Sequence, residues 1–259
     1  MKKRLDVVLY ERHYFVSREK SKEAIEEGIV FSNGKILNKP GEKVDEDIII
    51  EIKGEKLKYV SRAGLKIEYA IDNFGIDVKD KIVMDVGAST GGFTDCVLQN
   101  GAKKVYAIDV GYGQMAQSLI NNPKVINYEK TNIKDVNAQD FNDVDIIVTD
   151  VSFISLTKIS YKFSEILHSG GYLIALIKPQ FELDAKTIKR CKGVVKDEHL
   201  RLKAKDEVVT DIEMHGFKLI NIATSPIKGT EGNVEYISLF QKLLPTKNST
   251  AYMTGSGFY

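Results

Sequence analysis

Apolar and polar positions alternate in blocks along most of the chain. Residues 81–86, Lys81-Ile82-Val83-Met84-Asp85-Val86, read as a short buried strand. Gly87-Ala88-Ser89-Thr90-Gly91-Gly92 follows as a turn, and Phe93 opens a segment with Cys96, Val97 and Leu98 spaced for a helix on a sheet. Further short apolar runs lie at 105–108, 125–128, 145–150, 171–177, 217–223 and 234–240. Strands alternating with helix-length segments predict an α/β domain over 59–242, with a doubly wound, mostly parallel sheet.

The first 58 residues have a different rhythm. Leu5, Val8 and Leu9 fall at helical spacing, and a second helix is expected from Arg18 to Glu27, capped by Ser17 and stopped by Gly28. Asn33-Gly34 between Val30-Phe31-Ser32 and Lys35-Ile36-Leu37 predicts a tight hairpin, Lys39-Pro40-Gly41 a turn, and 48–52 another strand. This is a small α+β unit, closed by the polar link Lys53-Gly54-Glu55-Lys56. A linker at 59–64 then leads into a helix opening near Arg62, which puts Arg62 and Lys66 on one face. Residues 184–192 read as a loop carrying Lys186, Lys189 and Arg190, and 243–259 as a flexible tail.

Composition narrows the class without naming a partner. The 259 residues are 43% hydrophobic and 28% charged, with no apolar stretch of spanning length and no signal-like start, so the cytoplasm is the default expectation. Two cysteines, Cys96 and Cys191, give neither a disulfide framework nor a zinc site. A net charge of +1 means that any nucleic-acid footprint must come from the arrangement of cations. Arg4, Arg18, Lys20 and Lys22 in the small unit are candidates for phosphate contact, and a solvated surface is the competing reading.

The acids carry the chemistry. Asp85, Asp109 and Asp150 each end an apolar run, and Lys178 follows another, at the edge where open α/β sheets bind ligands. Gly87 to Gly92 is neither a G-x-G-x-x-G turn nor a Walker A loop. A carboxylate beside the turn repels a pyrophosphate but suits a cationic ligand, which points to S-adenosylmethionine. Asp85 and residues 87–93 then frame the cofactor, Asp109 and Val110 meet its ribose and adenosine, and Asn132 faces the adenine edge. Asp150-Val151-Ser152-Phe153 lacks the Pro-Pro-aromatic pattern of amine methylases, and neither cysteine is placed to attack a pyrimidine. A hydroxyl acceptor would need a proton removed, which a lysine held by a carboxylate can do, and Asp150 and Lys178 come from neighbouring strand ends and could meet over the transferred methyl.

Two resemblances sharpen these expectations. Arg4-Leu5-Asp6, Ser17-Arg18, Ile25-Glu26-Glu27-Gly28, residues 30–34 and Lys39-Pro40 resemble the S4-like RNA-binding fold, with Ser21 in place of its usual alanine. Residues 59–66, 85–95, 106–114, 150–156, 177–182, 225–229 and 232–235 resemble the TlyA-type, haemolysin A-like ribosomal RNA 2'-O-methyltransferases, whose catalytic domain is FtsJ/RrmJ-like. The resemblance implies a Rossmann-like methyltransferase fold, a catalytic tetrad at Lys66, Asp150, Lys178 and Glu235, with Lys178 orienting or deprotonating the hydroxyl, and cytidines of ribosomal RNA or ribosomal subunits as acceptors; Arg62 is a further candidate for RNA contact, with a solvated surface as the alternative. It requires no metal and no obligate protein partner. The haemolysin label brings membrane lysis as a second class, for which no amphipathic or spanning segment is evident. An RNA-binding protein with a retained but inactive methylase fold is the third.

Overall fold

The computed structural model describes residues 2–26, 28–53, 58–229 and 232–244. The chain forms two compact units that divide between Leu57 and Lys58. Expectations for Glu27, for the link at 54–56 and for the tail from 245 onward lie outside the described residues.

In the first unit, β1 (Lys2–Arg4) runs into α1 (Leu5–Glu11), followed by α2 (Arg18–Glu26), β2 (Val30–Ser32), β3 (Lys35–Ile36), β4 (Lys43–Asp45) and β5 (Glu51–Ile52). Ser17 Oγ accepts from the Lys20 amide at 3.1 Å, the expected cap of α2. Asn33 and Gly34 both take positive φ, 47° and 74°, so the hairpin turns as its sequence requires. Leu5, Leu9, Ala24, Ile25 and Val30 make its core. The strand expected over 48–52 shrinks to Glu51–Ile52 on β2, while β1 and β4 pair antiparallel without an alternating signature to announce it.

The second unit contains α3 (Gly64–Phe74), β6 (Ile82–Val86), α4 (Gly92–Gln99), β7 (Lys104–Ile108), α5 (Gln117–Ile120), β8 (Val125–Tyr128) and β9 (Ile146–Thr149). It continues with α6 (Ser160–Ile166), β10 (Tyr172–Ile177), α7 (Pro179–Glu182), α8 (Ala185–Arg190), α9 (Glu198–Met214), β11 (Phe217–Thr224) and β12 (Tyr236–Lys242). The strands form one seven-stranded sheet in the order β11-β12-β10-β9-β6-β7-β8. It is parallel from β10 to β8, while β12 is antiparallel to both β10 and β11. Strand periodicity separates two cores: Met84, Val86, Leu173 and Ala175 face α6 and α9, whereas Val83, Ile174 and Leu176 face α3 and α4. The sheet is therefore covered on both faces, as near-continuous apolar strands demand.

Two expectations change. The helix α3 opens at Gly64, so Arg62 sits in the preceding turn and does not share a helical face with Lys66. That turn is pressed against the start of α4: a side chain at Gly92 would run into the Ser61 hydroxyl and lie 3.1 Å from Ala63 Cβ. The segment 184–192 is also not a loop. Asp184 accepts from the Thr187 amide at 2.9 Å and hydroxyl at 2.6 Å, and this cap starts α8.

Candidate active site

Strand order reverses between β6 and β9, and the parallel strands bring their carboxyl ends to one edge of the sheet. Because β12 runs antiparallel to β10, with Tyr236 opposite Ile177, the residue just before β12 arrives at that same edge. That residue is Glu235. Lys66 enters from α3, Asp150 follows β9 and Lys178 follows β10.

The four side chains meet. Lys178 Nζ lies 2.5 Å from Asp150 Oδ1 and donates to Ser152 Oγ at 2.9 Å. Lys66 Nζ donates to Glu235 Oε2 at 2.8 Å and lies 3.6 Å from Asp150 Oδ2. Gln180 Nε2 donates to the other Glu235 oxygen at 3.3 Å. Lys66, Lys178 and Glu235 are all buried, so neither charge type is left uncompensated away from water. Burial works against the Lys66 ammonium, but Asp150 and Glu235 outweigh it and hold its pKa above the usual lysine value. Burial also pushes the Asp150 carboxyl up, and the two lysines reverse this, leaving it below the ordinary range. The result is a chain of alternating charges, Lys178–Asp150–Lys66–Glu235.

Beside this chain opens a cavity of about 590 Å³. Of the residues expected to hold the cofactor, Gly87, Ser89, Asp109, Val110, Asn132 and Asp150 line it. Its wall includes two carboxylates and no lysine or arginine, a donor set that fits a cationic ligand and disfavours a phosphate. Asp109 Oδ2 accepts from the Ser89 amide at 2.7 Å and Oδ1 from the Gly111 amide at 2.6 Å, tying the glycine turn to the second strand. A side chain at Gly87 would stand 3.0 Å from the Asp150 carbonyl oxygen, so the bare backbone there keeps the two strand ends close.

Other expected cofactor residues are not on the wall. Asp85 is fully buried beneath the turn, where its Oδ2 accepts from the Thr94 amide at 3.0 Å and hydroxyl at 2.7 Å. Burial lifts its pKa to about 7, only partly opposed by Thr94, so Asp109 and Asp150 supply the negative character that the sequence reading gave to Asp85. Ala88 belongs to a small apolar cluster with Ala107, Met115 and Leu119, and Phe93 to the core. Thr90, Gly91 and Gly92 shape the turn and its packing without lining the cavity. Gln114, from the connection after Asp109, lines it too, and so do Thr131 and Ile133, which were not singled out as ligand residues. They lie on connections, where no strand-end pattern marks them.

In the first unit, Arg4 and Arg18 converge on buried Asp6, with contacts of 2.9 and 3.1 Å, and Lys20 pairs with Glu23 at 2.7 Å. Both arginines stay half-exposed, and Lys22 and Arg62 are exposed. Among the described residues, no group of three or more His, Cys, Asp or Glu is arranged to hold a metal, and no helix is long and apolar enough to cross a membrane.

Known proteins resemble the chain over most of its length. The FtsJ-like methyltransferase family matches residues 59–242, and the S4 domain matches residues 3–49. Hemolysin A of Brachyspira hyodysenteriae is 44% identical, covering 92% of this chain and 99% of its own length. The 23S rRNA (cytidine-2'-O)-methyltransferase TlyA of Campylobacter jejuni is 38% identical over 88% of this chain and 95% of its own. A solved Streptococcus thermophilus structure carrying a hemolysin label is 41% identical, with a TM-score of 0.74 over 93% of this chain and 89% of its own. With an S4 domain ahead of an FtsJ-like methyltransferase domain and this identity over nearly its whole length, the chain belongs to the TlyA-type, haemolysin A-like methyltransferase family.

Proposed function

We propose that the protein transfers a methyl group from S-adenosylmethionine to the ribose 2'-hydroxyl of a cytidine in ribosomal RNA, acting in the cytoplasm on ribosomal RNA or subunits. The observation that carries this reading is the buried Lys178–Asp150–Lys66–Glu235 chain beside a cavity walled by carboxylates. Gly87, Ser89, Asp109, Val110, Asn132 and Asp150 are the residues that would hold the donor. S-adenosylmethionine supplies a methyl group on a positively charged sulfur, a leaving group that needs no metal.

The chain's own work is on the acceptor. Lys66 is tied to two carboxylates, which leaves Lys178, tied to Asp150 and the Ser152 hydroxyl, as the group that orients the 2'-hydroxyl and, once its ammonium has released a proton to solvent, takes the hydroxyl's proton as the oxygen bonds to the methyl and the methyl–sulfur bond breaks. Asp150 holds the Lys178 nitrogen in place. Lys66 bridges the Asp150 and Glu235 carboxylates, and Glu235 in turn holds the Lys66 ammonium in place. Alignment of the hydroxyl with the methyl is then set by rigid strand ends, and such positioning supplies much of the rate of a displacement reaction.

The test is to incubate the protein and methyl-labelled S-adenosylmethionine with separate small and large ribosomal subunits, then digest the RNA with alkali. Label recovered in an alkali-stable dinucleotide that begins with cytidine supports the reading. Label on a base, or none on either subunit, contradicts it.

A further inference from the structure

Several cations of the small unit are paired within the protein: Arg4 and Arg18 with Asp6, Lys3 with Glu11 and Glu46, and Lys20 with Glu23. A different stretch has the opposite character. Residues 186–196 contain Lys186, Lys189, Arg190, Lys192 and Lys196 and no acid, in a chain whose charges as a whole almost cancel. All five are exposed. Among the described residues none of them forms an ion pair, and Arg190 donates only to the Thr187 hydroxyl, at 3.3 Å. The acids that flank the stretch in the chain have other roles: Asp184 caps α8, where Thr187 chiefly and the Arg190 charge more weakly hold its carboxyl below the usual range, and Asp197 accepts from the His199 amide at the start of α9.

Position adds to charge. Arg190, Lys192 and Lys196 line an open cavity of about 420 Å³ together with Cys191, Val194 and Asp197. The chain after α8 is clipped to the active site by buried Asn233, whose Oδ1 accepts from the Val195 amide and whose Nδ2 donates to the Gly193 carbonyl, each at 3.0 Å. Asn233 lies two residues before Glu235, and α7, ahead of α8, begins immediately after Lys178. Complementing the helix dipole accounts for Lys189 and Arg190 in the last turn of α8. It does not account for Lys186, Lys192 or Lys196.

We infer that residues 186–196 form a phosphate-binding surface of the methyltransferase unit, which holds the backbone of the acceptor RNA next to the catalytic chain, with Arg190, Lys192 and Lys196 around one phosphate. The inference rests on the RNA-methylating reading above. Contacts of this kind set register and affinity without reading bases. They release counterions, so each one steepens the dependence of binding on salt by roughly 0.7–0.9 in log K against log salt.

The full-length protein is compared with a variant carrying Lys186→Gln, Lys189→Gln, Lys192→Gln and Lys196→Gln. A control removes the same charge at the opposite edge of the sheet, through Lys79→Gln, Lys81→Gln, Lys103→Gln and Lys124→Gln, all exposed. Binding to purified ribosomal subunits is measured by filter retention across a potassium chloride series. The surface variant is expected to bind at least about tenfold more weakly than the control, with a salt slope shallower by about 2–3, while the matching four-arginine variant retains wild-type binding. Equal binding and slope in surface variant and control overturn the inference, as does an equal loss in the arginine variant. Methyl transfer is scored separately, so failure of the catalytic reading shows as RNA that is bound but unlabelled.

Discussion

Lys66 and Asp85 handle buried charge in opposite ways. Lys66 is neutralised by partners, so replacing it with Met strands Glu235 and half of Asp150; we expect a loss of about 3–5 kcal/mol in urea unfolding. Adding Glu235→Leu to Lys66→Met removes the stranded charge and is expected to recover more than half of that loss. No recovery would mean that Lys66 acts through its aliphatic packing. Asp85 has Thr94 but no cation, and its carboxyl is lifted to about 7. The folded state thus binds this proton more tightly than the unfolded chain, where the group titrates near about 4. Its contribution to stability is complete below about pH 4 and is lost as pH rises towards about 7. Asp85→Asn keeps an acceptor for Thr94 and removes the titration. Between pH 4 and 8 its stability relative to wild type is therefore expected to improve by on the order of a few kcal/mol, measured as urea midpoints at both pH values. A constant difference would contradict the assignment. Asp6 runs the other way. Arg4 and Arg18 hold its carboxyl below the ordinary range, so its contribution is present above about pH 4 and is lost on acidification.

Among the elements, Gly229 and helix α7 bear most on how the proposed catalytic chain is aimed. A side chain at Gly229 would overlap the Glu235 carboxylate. Gly229→Ala is thus expected to lower the methylation rate by about 10²-fold through displacement of Glu235, with donor affinity unchanged; a variant at wild-type rate would show that Glu235 tolerates movement. Glu182 in α7 accepts from Ser155 Oγ at 2.5 Å and from the Leu156 amide at 3.0 Å, joining the turn that bears Lys178 to the loop that bears Ser152. Much of this level was readable in the chain. Strand runs with acids at their ends, the Asn33-Gly34 turn and the Ser17 cap each have a local physical signature. The start of α3 and the existence of α8 did not, since the first is fixed by Gly92 packing on residues 61–64 and the second by one carboxylate capping a strongly basic segment. For Asp85 the strand-end pattern gave the position correctly but could not reveal that the side chain turns beneath the loop.

For the whole molecule, the late antiparallel strand matters most. Without the reversal at β12, Glu235 would lie at the opposite edge of the sheet from Lys178, and nothing short of a family resemblance joins Lys66 to a residue 169 positions away. We expect the two compact units to contribute differently to donor and RNA binding. A fragment of residues 58–259 contains every residue of the cavity and of the catalytic chain. It is expected to bind S-adenosylmethionine within about threefold of the intact protein by calorimetry, while losing at least about tenfold in affinity for ribosomal subunits. Equal RNA affinity would remove the S4 domain from substrate binding.

The central claim is that Lys178 acts on the acceptor hydroxyl, and its most direct test is a single-turnover measurement of methyl transfer by Lys178→Ala beside the wild type, with donor affinity measured on both. The account predicts a fall of at least about 10³-fold in rate with donor affinity changed by less than about threefold. A rate within tenfold of wild type, at equal donor and RNA occupancy, would contradict it.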